Sequence, residues 1–402
     1  MANETGAVGS DSSWGRLSTL LAESETEISR RESTAFDRAA GPFVDRIVLF
    51  GAGSFGRRTL AKMRSIDLQP LAFADNNPGL RGTSIDGVPV YSSSEAAKLF
   101  GRNAVFLVTI WNGRAKDRMS ERIRQLKELG CERVFPAGLL FWKFPDAFLP
   151  YYPLDLPHKA LQCALDIKRG FDLFTEDASR QEYLAQVAFR LFLDYDALKP
   201  PDNLENYFPQ DLIELNNSEV LVDCGAFDGD TIAYFLQRQG NSFDSIIAFE
   251  PDPLNWEKLM QRKKNLPDPV RLKIQTFPQA LGARAEIVHF SPTGTDLSKV
   301  GEGPVSVECV TLNEALRNTN PTLIKFDIEG AELSALSGAD EVISESRPVL
   351  AVSAYHEQNH LWKVPLKLAE ICKDYEFFLR PQGTEGWDLV CYALPTERVR
   401  RR

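Results

Sequence analysis

The sequence predicts an α/β protein with two parallel sheets in tandem, joined by a helical linker. Three observations carry this. Short apolar runs alternate with helix-period segments through both halves of the chain, the pattern of strands joined by crossover helices. Each half opens on an apolar run that feeds a glycine turn and then a helix: Gly51-Ala52-Gly53-Ser54-Phe55-Gly56 in the first, Val222-Asp223-Cys224-Gly225-Ala226-Phe227-Asp228-Gly229-Asp230-Thr231 in the second. Pro145, Pro150, Pro153 and Pro157 interrupt the chain between them, which suits an ordered linker. At 402 residues the chain has the length of about two domains.

Taken in order, residues 1–42 are Ser/Glu-rich and read as a polar tail, with one amphipathic stretch around Leu17 to Leu21 as a docking helix. Residues 43–140 form a Rossmann-like unit: strands at 46–50, 71–74 and 104–109, a charged helix from about Arg114 to Gly130, and a fourth strand at 133–135. The linker, 141–205, carries helical patterns at 159–175 and 179–198, stopped by Pro200-Pro201. In the second domain, 206–395, strands fall at 219–221, 245–249, 272–277, 322–326 and 348–353, with a closing antiparallel pair at 375–380 and 387–392. Thr311 and Glu314 have capping-box spacing. The remaining 396–402 are a basic tail, read as solvated, with docking as the alternative.

Composition narrows the function. A hydrophobic share of 43% and a charged share of 25% belong to a soluble globular protein. A net charge of −10 argues against a nucleic-acid partner. Six cysteines without a CxxC pair indicate a reducing compartment and no disulfide framework. With no signal-peptide pattern and no apolar run near the roughly 20 residues of a membrane helix, the expectation is a cytoplasmic protein with no membrane partner.

The second glycine turn sets the chemistry. A strand, two glycines and a helix start bring bare backbone N–H groups to a ligand. Glu250 ends the next strand, 27 residues after Asp223, about where an acid meets ribose hydroxyls in nucleotide-binding α/β folds. Asp223, Asp228 and Asp230 would repel a pyrophosphate but not a sulfonium, so the inferred ligand is S-adenosylmethionine. Asp228 and Asp230 read equally well as caps of the following helix. Asp223, Glu250, Asp327 and His356 all fall at strand ends, where open α/β sheets bind ligands, and should converge on one site. Asp327 and His356 are the candidates for general base and substrate positioning, since an unperturbed imidazole titrates near neutrality; a structural histidine is the competing reading. Asp327, Glu329, Glu332 and His356 also have the donor types of a divalent-cation site, although Glu329-x-x-Glu332 equally describes a solvated helix face. Lys325 reads as a neutraliser of a site carboxylate.

In their order, Tyr207-Phe208-Pro209, VDCGAFDGDT, FEPDP, IKFDIEGAE and the segment from Tyr355-His356 through Leu379-Arg380 to Cys391-Tyr392-Ala393 resemble the FkbM family of S-adenosylmethionine-dependent methyltransferases. The resemblance spans about residues 200–395. It implies a class I methyltransferase fold, with a seven-stranded sheet whose last strand is antiparallel. It further implies O-methylation of a hydroxyl on a small metabolite or glycan. Asp223, Gly225, Phe227 and Gly229 would shape the methionine end of the cofactor pocket, Glu250 would hold the ribose, and Gln279 and Ala280 would border adenine.

In the first half, Gly51-x-Gly53-x-x-Gly56 followed by Asp75 has the spacing of a dinucleotide fingerprint. With no acid in the loop a phosphate would fit there, and Arg57 and Arg58 would reach it. The stretch also resembles the nucleotide-binding N-terminal domain of sugar O-acetyltransferases, implying a nucleotide or nucleotide-sugar ligand; a pure scaffold or dimerisation unit is the alternative, and a homodimer is expected. Two other functions compete with methyl transfer. One is an NAD(P)- or nucleotide-sugar-binding oxidoreductase centred on Gly51 to Gly56, weakened because no histidine precedes His158. The other is a regulatory binding protein.

Overall fold

The computed structural model describes residues 12–111, 118–201, 207–291, 299–300 and 303–400. The chain divides into two compact units. Unit 1 comprises Met1–Ala164, Leu184–Pro200 and Gly383–Trp387; unit 2 comprises Leu165–Tyr183, Pro201–Gln382 and Asp388–Arg402.

Unit 1 is a Rossmann-like sheet of six strands: β1 (Ile47–Phe50), β2 (Ala72–Asp75), β3 (Ser84–Ile85), β4 (Val88–Ser92), β5 (Val105–Val108) and β6 (Arg133–Pro136). Their order is β3-β4-β2-β1-β5-β6, parallel except for the β3–β4 hairpin. The central strands β1 and β5 are apolar throughout and wholly buried, as strands covered on both faces must be. The charged helix runs from Met119 to Glu128; its expected start at Arg114 lies outside the described residues.

Residues 25–40 are not a tail. Glu25–Ala40 form a 16-residue helix, opened by a reciprocal capping box between Ser24 and Glu27. Ile28, Glu32, Phe36 and Ala40 are buried along one stripe, and Glu32 accepts from His158, with Oε2 2.8 Å from Nδ1. The polar member of the stripe is what made the segment read as solvated.

Unit 2 holds the seven-stranded sheet: β7 (Val220–Cys224), β8 (Ser245–Phe249), β9 (Ile274–Phe277), β14 (Leu323–Phe326), β15 (Val349–Ser353), β16 (Tyr375–Pro381) and β17 (Leu389–Pro395), in the order β16-β17-β15-β14-β7-β8-β9. β17 runs antiparallel to both of its neighbours, as the class I methyltransferase fold requires. Between β9 and β14 the chain adds a four-stranded sheet that the sequence reading did not anticipate: β10 (Ala280–Leu281), β11 (Glu286–Ser291), β12 (Lys299–Val300) and β13 (Val305–Val310). Ile287 and Glu308 are paired across it and both exposed, so this sheet lacks the continuous apolar runs that announce the main one.

Candidate active site

The site begins where β7 ends. Gly225 takes φ +84°, and a Cβ there would lie 1.9 Å from the Asp327 carbonyl oxygen. Only glycine allows the turn to pass so close to the end of β14. Gly229, at φ +86°, is the N-cap of the helix Asp230–Gln239. Between them Phe227 holds a left-handed conformation at φ +49°, and its N–H donates to Glu250 Oε2 at 2.7 Å. Glu250 Oε1 accepts from the Asp252 N–H at 2.9 Å. Burial, opposed by these amide bonds, pushes the Glu250 carboxyl up to about 7.

The acids of this turn are not an open anionic lining. Asp223 is fully buried. It lies opposite Lys325 in the β7–β14 register, and Lys325 Nζ stands 3.0 Å from Oδ1 while donating to the Gly225 carbonyl at 2.6 Å. Burial, opposed by Lys325, raises Asp223 to about 6. Burial would lower Lys325, but Asp223 and Asp327 outweigh it and hold the ammonium above its ordinary value. Asp228 pairs with Arg262 at 2.7 Å, and Asp230 Oδ1 accepts from the Thr231 N–H. With two of the three carboxylates matched by cations, electrostatic repulsion no longer excludes a phosphate here. Neither Asp228 nor Asp230 is the helix N-cap.

Beyond the ends of β14 and β15 lies a second charged group. Asp327, a quarter exposed, accepts from the Tyr207 hydroxyl at Oδ2 and the Ser353 hydroxyl at Oδ1, both at 2.8 Å. His356 is buried, with Nδ1 2.8 Å from Glu332 Oε1. Its Nε2 faces Asp327 Oδ1 at 3.4 Å and Glu329 Oε1 at 3.6 Å. Burial would lower this imidazole, yet Glu332 and Glu329 outweigh it and raise its pKa well above the ordinary value. A raised pKa favours the protonated imidazole, which suits substrate positioning more readily than proton abstraction. Glu332 is fully buried and held at about 2, the pull of His356 overcoming burial. The solvated-face reading of Glu329-x-x-Glu332 fails for this residue. Tyr207 and Ser353 were missed as partners of Asp327; Tyr207 could have been found, since it belongs to the Tyr-Phe-Pro motif.

Other expected residues stand apart from this network. Gln279 donates to Glu308 at 2.6 Å, and Ala280 is paired with Cys309 in the small sheet. In unit 1, Gly51 takes φ +114°, and a Cβ on Gly56 would lie 1.9 Å from the Gly51 carbonyl oxygen. Gly53 is the N-cap of the helix Ser54–Arg64 and faces open space. Asp75 is engaged by the loop itself, Oδ2 accepting from the Ala52 N–H at 2.7 Å. Arg57 donates to the Ala52 carbonyl at 3.1 Å, and Arg58 lies over the Tyr151 ring. Both arginines therefore have partners within the fold.

With the turn, the strand ends and their acids in place, the relatives can be read. Residues 223–379 match the model of the methyltransferase FkbM domain. Unit 2 carries an FkbM methyltransferase domain. The chain is similar in fold to the crystal structure of Methyltransferase FkbM from Methylobacillus flagellatus KT. That match has 24% identity and a TM-score of 0.72, over 95% of this chain and 98% of the other. A precorrin-6y C5,15-methyltransferase from Geobacter metallireducens GS-15 matches at 13% identity and a TM-score of 0.30, over 46% of this chain and 84% of the other, too slight a likeness to argue from. None of the curated proteins matches the sequence. The FkbM domain begins at Asp223 and ends at Leu379, so it contains every unit 2 site residue expected from the sequence.

Proposed function

We propose that the protein is an S-adenosylmethionine-dependent O-methyltransferase acting on a hydroxyl of a small metabolite, glycan or nucleotide-linked substrate. The observation that carries this is the FkbM domain with its glycine turn pressed against the end of β14 and Glu250 at the end of β8. The ribose hydroxyls donate to Glu250, and the methionine end follows the turn from Asp223 to Gly229. Gln279 and Ala280 border the adenine. The acceptor hydroxyl is placed against Asp327. Its oxygen bonds to the methyl carbon as the carbon–sulfur bond breaks, the sulfonium becomes a neutral thioether, and the hydroxyl proton passes to a carboxylate. Such a transfer needs chiefly in-line placement. A divalent cation among Asp327, Glu329 and His356 belongs to the same reading.

Unit 1 supplies a second site at Gly51, Gly53, Gly56 and Asp75 for the nucleotide-bearing part of the acceptor, supported by the open helix start at Gly53. Six free cysteines support a reducing, cytoplasmic setting, and among the described residues no helix is long and apolar enough to cross a membrane. Calorimetric titration with S-adenosylmethionine and with NAD tests the proposal. Binding of the first and methyl transfer to hydroxylated acceptors are expected; binding of NAD alone would favour the oxidoreductase.

A further inference from the structure

We propose that Asp327, Glu329 and His356 Nε2 bind a divalent cation of the magnesium or manganese kind, with Glu332 behind them orienting the imidazole. The residues come from two adjacent strand ends: Asp327 follows β14, Glu329 lies in the next turn, Glu332 opens the helix Glu332–Ser337, and His356 follows β15. Glu332 Oε1 receives both His356 Nδ1 at 2.8 Å and the Ile328 N–H at 2.9 Å. That double anchor sets the ring so that Nε2 points at Asp327 Oδ1 and Glu329 Oε1, 3.4 and 3.6 Å away. Neighbouring ligands of an octahedral ion with bonds of about 2.1 Å stand roughly 3 Å apart, so small side-chain adjustments would close the shell. A carboxylate on the far nitrogen of a ligating histidine is the usual support of such a site. One donor atom each from Asp327, Glu332 and His356 already lie within 4.8 Å of one another.

Charge gives an independent argument. Lys325 is shared between Asp223 at 3.0 Å and Asp327 at 4.0 Å, while Asp327, Glu329 and Glu332 gather around the two imidazoles of His356 and His360. Glu332 Oε2 is buried and accepts no hydrogen bond; the imidazole nitrogen facing it is His360 Nδ1 at 3.4 Å. The fully buried Glu332 requires compensation, and the partly exposed Asp327 and Glu329 make, with one imidazole, a donor set for magnesium or manganese. Neutral His356 would offer the Nε2 lone pair to an ion from the side that faces Asp327 and Glu329. What the ion does rests on the methyl-transfer reading: it would coordinate the acceptor oxygen and lower its pKa, the proton passing to a carboxylate as in that reading.

The test is titration of metal-stripped full-length protein with Mn²⁺, following the free-ion electron paramagnetic resonance signal, with calorimetry for S-adenosylmethionine alongside. One saturable site is expected. Glu329→Gln, at a partly exposed position, should weaken Mn²⁺ by at least roughly tenfold while retaining cofactor affinity, and Glu332→Gln by about 10- to 100-fold. An unchanged free-ion signal through about 1 mM total Mn²⁺, well above the affinity range of dedicated sensor sites, would overturn the proposal. So would wild-type Mn²⁺ affinity in Glu329→Gln. Mn²⁺ binding without S-adenosylmethionine binding would sink the methyltransferase reading and leave the cation site standing; the reverse result would do the opposite.

Discussion

The two glycine turns of this protein are built on one device. In unit 1, Asp75 at the end of β2 accepts from the Ala52 N–H at Oδ2 and from the Asn77 N–H at Oδ1, each at 2.7 Å. In unit 2, Glu250 after β8 accepts from the Phe227 N–H at Oε2 and from the Asp252 N–H at Oε1. In both, one oxygen clamps the loop and the other the amide two residues downstream. An acid at this position is thus a structural part of the turn before it is a ribose ligand. The turns differ in what stands beside them. Behind Gly51, the Thr109 hydroxyl donates to the Phe50 and Gly51 carbonyls. Behind Gly225, Lys325 caps the carbonyl and carries its charge to Asp223 and, at 4.0 Å, to Asp327. The glycine spacing makes a shape; the neighbouring strand makes it a charged site.

Replacing the two neighbours should separate these cases most sharply. Lys325→Met strands a buried carboxylate at Asp223 and should destabilise unit 2 by about 3–5 kcal/mol. Thr109→Val removes neutral hydrogen bonds from two carbonyls and should cost about 1–2 kcal/mol. Denaturant unfolding of both variants checks the contrast, and equal losses would mean that Lys325 is no more than a neutral cap in energetic terms.

The acids come next. Glu250→Gln should lower S-adenosylmethionine affinity by about 2–3 kcal/mol, the loss of a charged acceptor, whereas Asp75→Asn should leave that affinity unchanged. Titration calorimetry decides it. If both variants bind as wild type, the acid at β8 is only a clamp.

The Glu250 carboxyl also imposes a pH dependence. Its folded pKa of about 7 lies above the ordinary 4.5, so the folded state takes up the proton first. Its contribution therefore favours folding below about 4.5 and is lost as pH rises through 7. Cofactor affinity should run the other way, rising between about pH 6 and 8 as the acceptor ionises, and this slope should vanish in Glu250→Gln.

Much of this was legible in the sequence because buried parallel strands are apolar on both faces and their ends are marked by polar residues. That grammar located Asp223, Glu250, Asp327 and His356. It does not report partners. Glu332 looks solvated because Glu-x-x-Glu is a common exposed pattern, and only the fold shows that His356 and His360 enclose it. The helix Glu25–Ala40 was hidden by Glu32 in its buried stripe. The raised pKa of His356 could not be read either, since it depends on carboxylates that are far closer in space than their type and spacing imply. The small sheet escaped because its strands are short or half-exposed.

The smallest expected effect tests whether the unit 1 turn is more than shape. Gly53 has an extended backbone with φ −75°, and an added Cβ meets nothing within 4 Å. Alanine there requires no strain and reduces the freedom of the unfolded chain, so Gly53→Ala should stabilise unit 1 by about 0.4–1 kcal/mol. The same methyl group would sit at the N-cap of the helix Ser54–Arg64, on the turn where a phosphate would dock. If unit 1 binds a nucleotide sugar, the variant should therefore gain stability and lose that ligand together, measured by thermal melting with and without a nucleoside diphosphate sugar. A gain in stability with no ligand shift in either protein would leave the turn a scaffold, with binding confined to its charged counterpart.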